Sequence, residues 1–382
     1  RLDPESGITF QAVWFDCGAN AGGRLLLMAH HLVIDGVSWS ILVPDLRSAL
    51  QAARGGKTPA IERQGTSFRR WSELLHEEAC RPARQAEVVV WEQILNAPDV
   101  LLAGRPLDPE RDTATTARHL SLTLPAEFTE PVTGKIPAAI HGGAKDVLLT
   151  ALAIAFAHWR RRLNPGGGTA VLVDVEGHGR QEIFDGVDLS RTVGWFSTLH
   201  PVALDPGTGT GSGDALKRVK EQLRSIPDQG LGFGLLNYLN PDTAAVLESL
   251  PRPQLKFNYL GRMAAPSGEV WDPAVEAAAV GDGSDPSMPL SHAIELNAVT
   301  YERPEGLQLT ANWIWAGNLF TEADIRDLGE RWFGALREII KSADQMEAGF
   351  TPSDFPLVSL SQDELDLIQL GIRERDAAPD SI

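Results

Sequence analysis

The chain has 382 residues, 34 of them basic and 51 acidic, and the net charge of −17 argues against a nucleic-acid backbone as its partner. Its 43% hydrophobic residues and ten tryptophans exclude a disordered chain, and its length predicts two lobes rather than one compact core. Two cysteines are too few for a disulfide framework, and no apolar stretch reaches the ~18 residues of a membrane helix, so we expect a cytoplasmic protein with no membrane partner.

The first part of the chain alternates strand and helix patterns. Residues 8–15 and 24–31 are predicted strands, the second apolar enough to be buried on both faces. Residues 37–53 have helical spacing, and residues 68–95 predict one or two further helices. A stretch rich in Pro, Asp and Thr follows, so the first lobe is predicted to span residues 1–112.

The alternation continues through the rest of the chain. Residues 144–162 are the strongest helix prediction because their apolar side chains share one face. Further strands are predicted at residues 119–124, 169–175, 254–259, 294–300 and 307–315, and a closing helix at 322–341. The pattern predicts an α/β fold with a second lobe at 113–341. Residues 342–382, where Asp, Glu, Pro and Ser mix with a few leucines, are predicted to be an extension or linker.

Two short segments carry the side chains best suited to chemistry, residues 30–36 (HHLVIDG) and 176–180 (EGHGR). Each follows an apolar run, and together they offer imidazoles and carboxylates. Imidazole has an unperturbed pKa near neutrality, so it can take and return a proton at physiological pH. The sequence therefore predicts proton-transfer chemistry in a cleft between two structural units, with a distant carboxylate as the second acid/base group.

Residues 30–39 (HHLVIDGVSW) resemble the active-site motif of nonribosomal peptide synthetase condensation and epimerization domains. Further segments resemble the epimerization subtype, in the expected order: DVLLTA, EGHGR, RTVGWF, GLGFG, FNYLG and TPSDFPL, at residues 146–151, 176–180, 191–196, 230–234, 257–261 and 351–357. The resemblance implies the two-lobed fold of chloramphenicol acetyltransferase. Roughly a hundred residues that the family has at the N-terminus are absent here, so the first lobe is expected to be N-terminally truncated.

The resemblance also implies roles for individual residues. The expected catalytic pair is His31 and Glu176. The residues expected to support the site are His30, Asp35, Gly36 and Arg180. Asp35 is expected to pair with Arg180 rather than act as a base, because a carboxylate held by a guanidinium is a poor base. The residues expected to line the substrate channel are His178, Trp195, Asn258 and Tyr259. For His178, a second catalytic role and a turn position are both open, and we favour the turn.

The implied reaction is reversal of configuration at the Cα of an aminoacyl or peptidyl thioester. The thioester would arrive on the phosphopantetheine arm of a partner carrier domain, since the chain has no carrier serine motif and is expected to bind no cofactor itself. Adjacent histidines lack the spacing of a helical zinc site, so no metal is expected. Neighbouring adenylation (upstream) and condensation (downstream) domains are the other implied partners.

Two alternatives stay open: a condensation domain that forms peptide bonds, and a catalytically silent domain that docks carriers. The chain also departs from the epimerization pattern at three positions. His200 stands where Tyr is usual, Phe233 where Tyr is common, and Asn237 where Arg is frequent. These departures concern the carrier or substrate channel more than the chemistry.

Overall fold

The computed structural model describes residues 2–18, 22–97, 101–163, 168–209, 211–264, 270–274, 276–277, 285–343 and 350–377. Within these ranges the strands are β1 (Phe10–Phe15), β2 (Arg24–Ala29), β3 (Ala117–Leu124), β4 (Val171–Gly177), β5 (Thr198–Leu204), β6 (Leu255–Met263), β7 (Ile294–Arg303) and β8 (Gly306–Ala316). The first two form an antiparallel hairpin. The other six form one sheet in the order β3-β8-β7-β6-β4-β5. The pairs β4–β6 and β6–β7 are parallel, and the remaining neighbours are antiparallel.

The helices are α1 (Gly36–Arg54), α2 (Phe68–Ala79), α3 (Pro82–Gln85), α4 (Val88–Leu95), α5 (Ala126–Glu130), α6 (Ile136–Ala139), α7 (Ala144–Leu163), α8 (Ser212–Arg224), α9 (Leu231–Gly234), α10 (Pro241–Glu248), α11 (Glu322–Ala343) and α12 (Gln362–Ala377). No single described helix is both long and apolar enough to cross a bilayer. The segments 126–139 and 144–161 meet the length and composition test only as a pair, bent by 107°.

The main core lies between one face of the six-stranded sheet and the long helices α7 and α11. Trp313 of β8 meets Trp332 of α11 edge to face, with ring centroids 6.1 Å apart. Trp332 is fully buried, and its indole N–H donates to the carbonyl of Leu148 in α7 at 3.0 Å. Buried residues alternate with half-buried ones along β6 and β7, so the opposite face of the sheet is the accessible one.

Strand β2 differs from its predicted environment. It was expected to be buried on both faces, which is wrong: Leu25 is 42% exposed, as are Trp14 and Phe15 of β1 at 64% and 51%. The reason is that, among the described strands, β2 pairs only with β1 in a two-stranded hairpin that is separate from the six-stranded sheet. The strand also ends at Ala29 rather than His31, because residues 31–33 form a 3-10 turn.

Other differences have local causes. The region 68–95 divides into three helices, with Pro82 at the first turn of α3, where a missing N–H costs nothing. The tail predicted to be an extension contains α12, and Thr351, which precedes it, is fully buried. Part of that tail, residues 344–349 and 378–382, lies outside the described residues. The division at residue 112 stays a prediction. Trp91 of α4 lies in the same core as the large sheet.

Candidate active site

The HHLVIDG segment is held by the start of helix α1. Asp35 is the residue that caps α1: its Oδ1 accepts hydrogen bonds from the backbone N–H and the hydroxyl of Ser38, both at 2.7 Å. Asp followed by Gly at this point is a helix-start pattern, because the carboxylate satisfies an N–H that the helix leaves unpaired. Gly36 opens α1 and has open space where a Cβ would lie, so no steric contact requires a glycine there.

The EGHGR segment reaches the same point from the end of β4. Arg180 Nη2 lies 3.2 Å from Asp35 Oδ1 and 3.3 Å from Oδ2, although the two residues are 145 positions apart. Its Nη1 donates to the carbonyls of Leu189 and Thr192 at 2.9 and 2.6 Å. Its guanidinium lies 4.0 Å from the ring centre of Phe196. The ion pair predicted between Asp35 and Arg180 is therefore confirmed.

This environment decides the protonation of Asp35. Burial alone would raise its pKa, but hydrogen bonds from Ser38 and from the backbone N–H of Phe196 at 3.1 Å, together with the Arg180 charge, hold that pKa below its ordinary value. A carboxylate that is already ionised and has its oxygens occupied by donors is a poor proton acceptor. The geometry assigns Asp35 to fixing the two segments together.

The two adjacent histidines have different surroundings. His30 is half-buried, and its Nδ1 accepts the backbone N–H of Leu32 at 3.2 Å, which caps the short turn. His31 is exposed, and its ring centre lies 4.7 Å from that of Trp195. In the part of the chain that the structure describes, the His31 imidazole makes no hydrogen bond. His31 is thus the imidazole available to a ligand.

Glu176 lies near the end of β4 between two lysines. Lys256 of β6 places Nζ 2.9 Å from Glu176 Oε2 and 3.9 Å from Glu295 Oε2. Burial lowers the pKa of Lys256, but the two carboxylates outweigh it and raise that pKa above its ordinary value. Lys145, at the start of α7, donates to the Glu176 carbonyl at 3.0 Å. Burial lowers the pKa of Lys145 to about 8.

His178 occupies a turn. Its Nδ1 accepts the backbone N–H of Arg180 at 3.0 Å, so a neutral ring carries its proton on Nε2. Partial burial and the nearby charges of Lys145 and Arg180 lower the pKa of His178, which keeps the ring neutral at pH 7. The turn position favoured from the sequence agrees with this geometry.

Asn258 and Tyr259 lie on opposite faces of β6, because successive strand residues alternate. Asn258 is half-buried on the accessible face, whereas Tyr259 packs against the main core and its hydroxyl lies 3.0 Å from Thr300 Oγ1. The expectation that both line one channel therefore conflicts with the period of the strand, and Asn258 is the one so placed. Trp195 is 44% exposed beside His31.

Sequence reasoning missed several residues around the site. Ser38 bridges the segments, since its hydroxyl oxygen accepts hydrogen bonds from the Gly194 N–H at 3.1 Å and from Arg180 Nη2 at 3.2 Å. Lys145 and Lys256 were also missed. The sequence did mark Lys256 as a candidate, because it is a charged residue between the apolar Leu255 and Phe257 of a predicted strand. Nothing in the sequence pattern marks Lys145.

The positions that depart from the epimerization pattern are buried. His200 is 5% exposed, burial lowers its pKa to about 3, and its Nδ1 has no hydrogen-bond partner in the described structure. Gly230 packs on this ring with φ +90°, where a Cβ would lie 2.0 Å from the imidazole. Phe233 packs on Trp91 at 5.3 Å between ring centres. Both amide atoms of the buried Asn237 also lack partners in the described ranges.

No group of three or more His, Cys, Asp or Glu side chains within the described residues could hold a metal ion. The two segments offer an exposed imidazole, a carboxylate 2.9 Å from a lysine Nζ, and a second imidazole whose lowered pKa favours its neutral form. Imidazole and carboxylate groups can remove and return protons.

Comparison with known proteins relates this arrangement to a family. The sequence model of the Condensation domain matches residues 1–354. A linear gramicidin synthase protein of Brevibacillus parabrevis is 38% identical over 96% of this chain, and the chondramide synthase of Chondromyces crocatus is 35% identical over 96%. The chain spans only 5% and 9% of the length of these two relatives.

Solved structures agree with the family match. The crystal structure of the epimerization domain from the third module of tyrocidine synthetase B matches with a TM-score of 0.76 and 27% identity, covering 88% of this chain and 72% of that chain. The first condensation domain of the CDA synthetase matches with a TM-score of 0.59 and 21% identity, covering 89% of this chain and 68% of that chain. At this identity the match shows a shared fold alone. The α/β class predicted from the strand and helix pattern and the condensation-domain fold implied by the resemblance are confirmed.

Proposed function

This chain belongs to the Condensation domain family, and we propose that it epimerizes the Cα of an aminoacyl or peptidyl thioester within a nonribosomal peptide synthetase. The substrate arrives on the phosphopantetheine arm of a carrier domain in the cytoplasm, with adenylation and condensation domains as further neighbours. The observation that carries the proposal is the Asp35–Arg180 pair. It joins the segment of His31 to the segment of Glu176, which supports the proposal that these two acid/base groups act at one site.

Two further observations favour epimerization over peptide-bond formation. The chain carries the EGHGR, RTVGWF and FNYLG segments of the epimerization subtype. It also resembles an epimerization domain of tyrocidine synthetase B with a higher TM-score than the condensation domain of the CDA synthetase.

The charges at the site suggest how the two groups divide the reaction. A thioester carbonyl acidifies the neighbouring Cα–H, because the carbanion delocalises onto oxygen as an enolate. Glu176, whose Oε2 lies 2.9 Å from Lys256 Nζ, takes the proton from one face of Cα. The protonated imidazole of His31 returns a proton to the other face, and the reverse reaction exchanges the two roles. The neutral His178 Nε2–H is available to donate to the enolate oxygen.

The test is deuterium incorporation at Cα of a carrier-bound L-aminoacyl thioester in D₂O, in the multidomain synthetase. His31→Ala is expected to lower the exchange rate by about 10²–10⁴-fold, the usual contribution of a positioned acid or base. His158→Ala removes an exposed imidazole on α7 and serves as the matched control, with an unchanged rate. Exchange retained in His31→Ala would remove His31 from the mechanism.

The same preparation separates the alternatives. A condensation domain would join two carrier-bound substrates without incorporating deuterium at Cα. A silent docking domain would bind the loaded carrier and show neither reaction. Either result would replace epimerization as the function.

A further inference from the structure

Four amide and hydroxyl side chains stand in one row across the large sheet. The strand register pairs Asn258 of β6 with Asn297 of β7, Asn297 with Asn312 of β8, and Asn312 with Ser121 of β3. Residues directly paired across neighbouring strands project from the same face. These four residues, termed here the amide row, therefore share one face of the sheet.

The amide row begins beside the candidate catalytic carboxylate. In the parallel pairing of β4 with β6, Val175 is opposite Phe257. Glu176 and Asn258 are the next residues of each strand, so they stand at the same level. From Glu176 on β4, the row therefore continues across four more strands. This is a distance of about 19 Å, at about 4.8 Å between neighbouring strands.

The row is on the accessible face. Asn258, Asn297 and Asn312 are half-buried and Ser121 is exposed, whereas their chain neighbours Phe257 and Trp313 are fully buried under the helices. In the described part of the chain, the side chains of Asn258 and Asn297 make no hydrogen bond. The Ser121 hydroxyl donates to Asn312 Oδ1 at 2.7 Å.

Three asparagines in register are unfavourable for a strand, because asparagine is depleted there relative to β-branched residues. No side-chain hydrogen bond within the described residues offsets this cost for Asn258 or Asn297. A carboxamide is neutral and offers both donors and acceptors, which complements a peptide group. Charged ligands are better matched elsewhere on this face, where Lys256 and Glu295 lie.

We propose that the amide row binds the backbone of a peptide attached to the residue that reacts at Glu176, so that the substrate is a peptidyl rather than an aminoacyl thioester. This inference rests on the proposed function and names its substrate class. An extended peptide advances about 3.3 Å per residue, so the row accommodates about five or six residues. A single aminoacyl group has no peptide bond to offer it.

The test compares two carrier-bound substrates, tetra-alanyl and alanyl thioesters, in the multidomain synthetase. Asn297→Val and Asn312→Val each remove one amide while keeping a good strand former. Each is expected to lower kcat/KM for Cα exchange of the tetra-alanyl substrate by about 2- to 10-fold, the range for one hydrogen bond, and to leave the alanyl substrate unchanged. Thr310→Val, on the same face of β8 but outside the row, is the matched control, with less than a 2-fold effect on either substrate.

A binding measurement keeps this inference separate from the proposed function. Wild-type protein is expected to bind a tetra-alanyl amide analogue of pantetheine more tightly than the alanyl analogue, and the two asparagine variants to lose that preference. Absence of Cα exchange with both substrates, but with the binding preference intact, would overturn the reaction and leave the peptide site standing. Equal losses for both substrates, or wild-type preference in both variants, would overturn the amide row.

Discussion

Removal of the Asp35 carboxylate tests the contact that joins the two segments of the site. Its side chain is 1% exposed and that of Arg180 is 9% exposed. In Asp35→Ala, the backbone N–H and hydroxyl of Ser38, the N–H of Phe196 and the Arg180 guanidinium all lose an acceptor. The stranded charge alone costs about 3–5 kcal/mol in similar buried pairs. We expect the free energy of unfolding to fall by that amount.

Urea unfolding at pH 7 measures this loss, and a double-mutant cycle with Arg180→Ala tests whether it comes from the ion pair. Arg180→Ala also strands the Asp35 charge, so its cost has the same origin. The double variant is therefore expected to be more stable than the sum of the single losses predicts, by about 1–3 kcal/mol. Arg326→Ala, which breaks an exposed pair with Glu322 on α11, is the control and should change stability by about 0.5 kcal/mol or less.

A loss of less than about 1 kcal/mol in Asp35→Ala would contradict this expectation, because it would mean that removal of the carboxylate leaves no buried group unpaired. Additive losses in the double variant would equally contradict it. In that case the two segments would be held together by the packing around Phe196 rather than by the ion pair.

Two further predictions concern stability. Lys220 is fully buried, with Nζ 2.7 and 2.8 Å from the Asp354 oxygens. Burial raises the pKa of Asp354, but the Lys220 contact together with hydrogen bonds from Thr351 holds that pKa below its ordinary value of 3.8. The stability from Asp354 is therefore complete above about pH 5 and is lost as the pH falls through the lowered pKa. The difference in urea midpoint between wild type and Asp354→Asn should shrink between pH 6 and pH 3, and a constant difference would contradict it. Gly230→Ala places a Cβ against the His200 ring at a left-handed φ. It should therefore lower the free energy of unfolding by about 2–5 kcal/mol in the same assay. Gly234→Ala, where the added Cβ meets open space, serves as the control.

Part of this structure was predictable from the sequence. The long helices α7 and α11 follow their apolar period, and the strands β6 to β8 follow theirs, because these segments bury one face against one large core. The contact of Asp35 with Arg180 was predictable only through the resemblance, since no local pattern relates residues 145 positions apart.

The remainder depends on tertiary context. The burial of β2 could not be judged from its apolar sequence, because exposure depends on which layers cover it. The Lys256–Glu176 pair requires the parallel pairing of β4 with β6, which strand patterns alone do not specify. The amide row is likewise visible only once the register of four strands is known.

The buried ion pair at Lys220 also has a mechanical consequence. Lys220 lies on α8, and besides Asp354 its ammonium is held by the Ile140 carbonyl at 2.7 Å. A second ion pair, between Lys217 of α8 and Asp366 of α12 at 3.1 Å, ties α12 to the same helix. Tension applied to the chain beyond residue 354 therefore reaches α8 through the contacts of Asp354 with Lys220 and of Asp366 with Lys217.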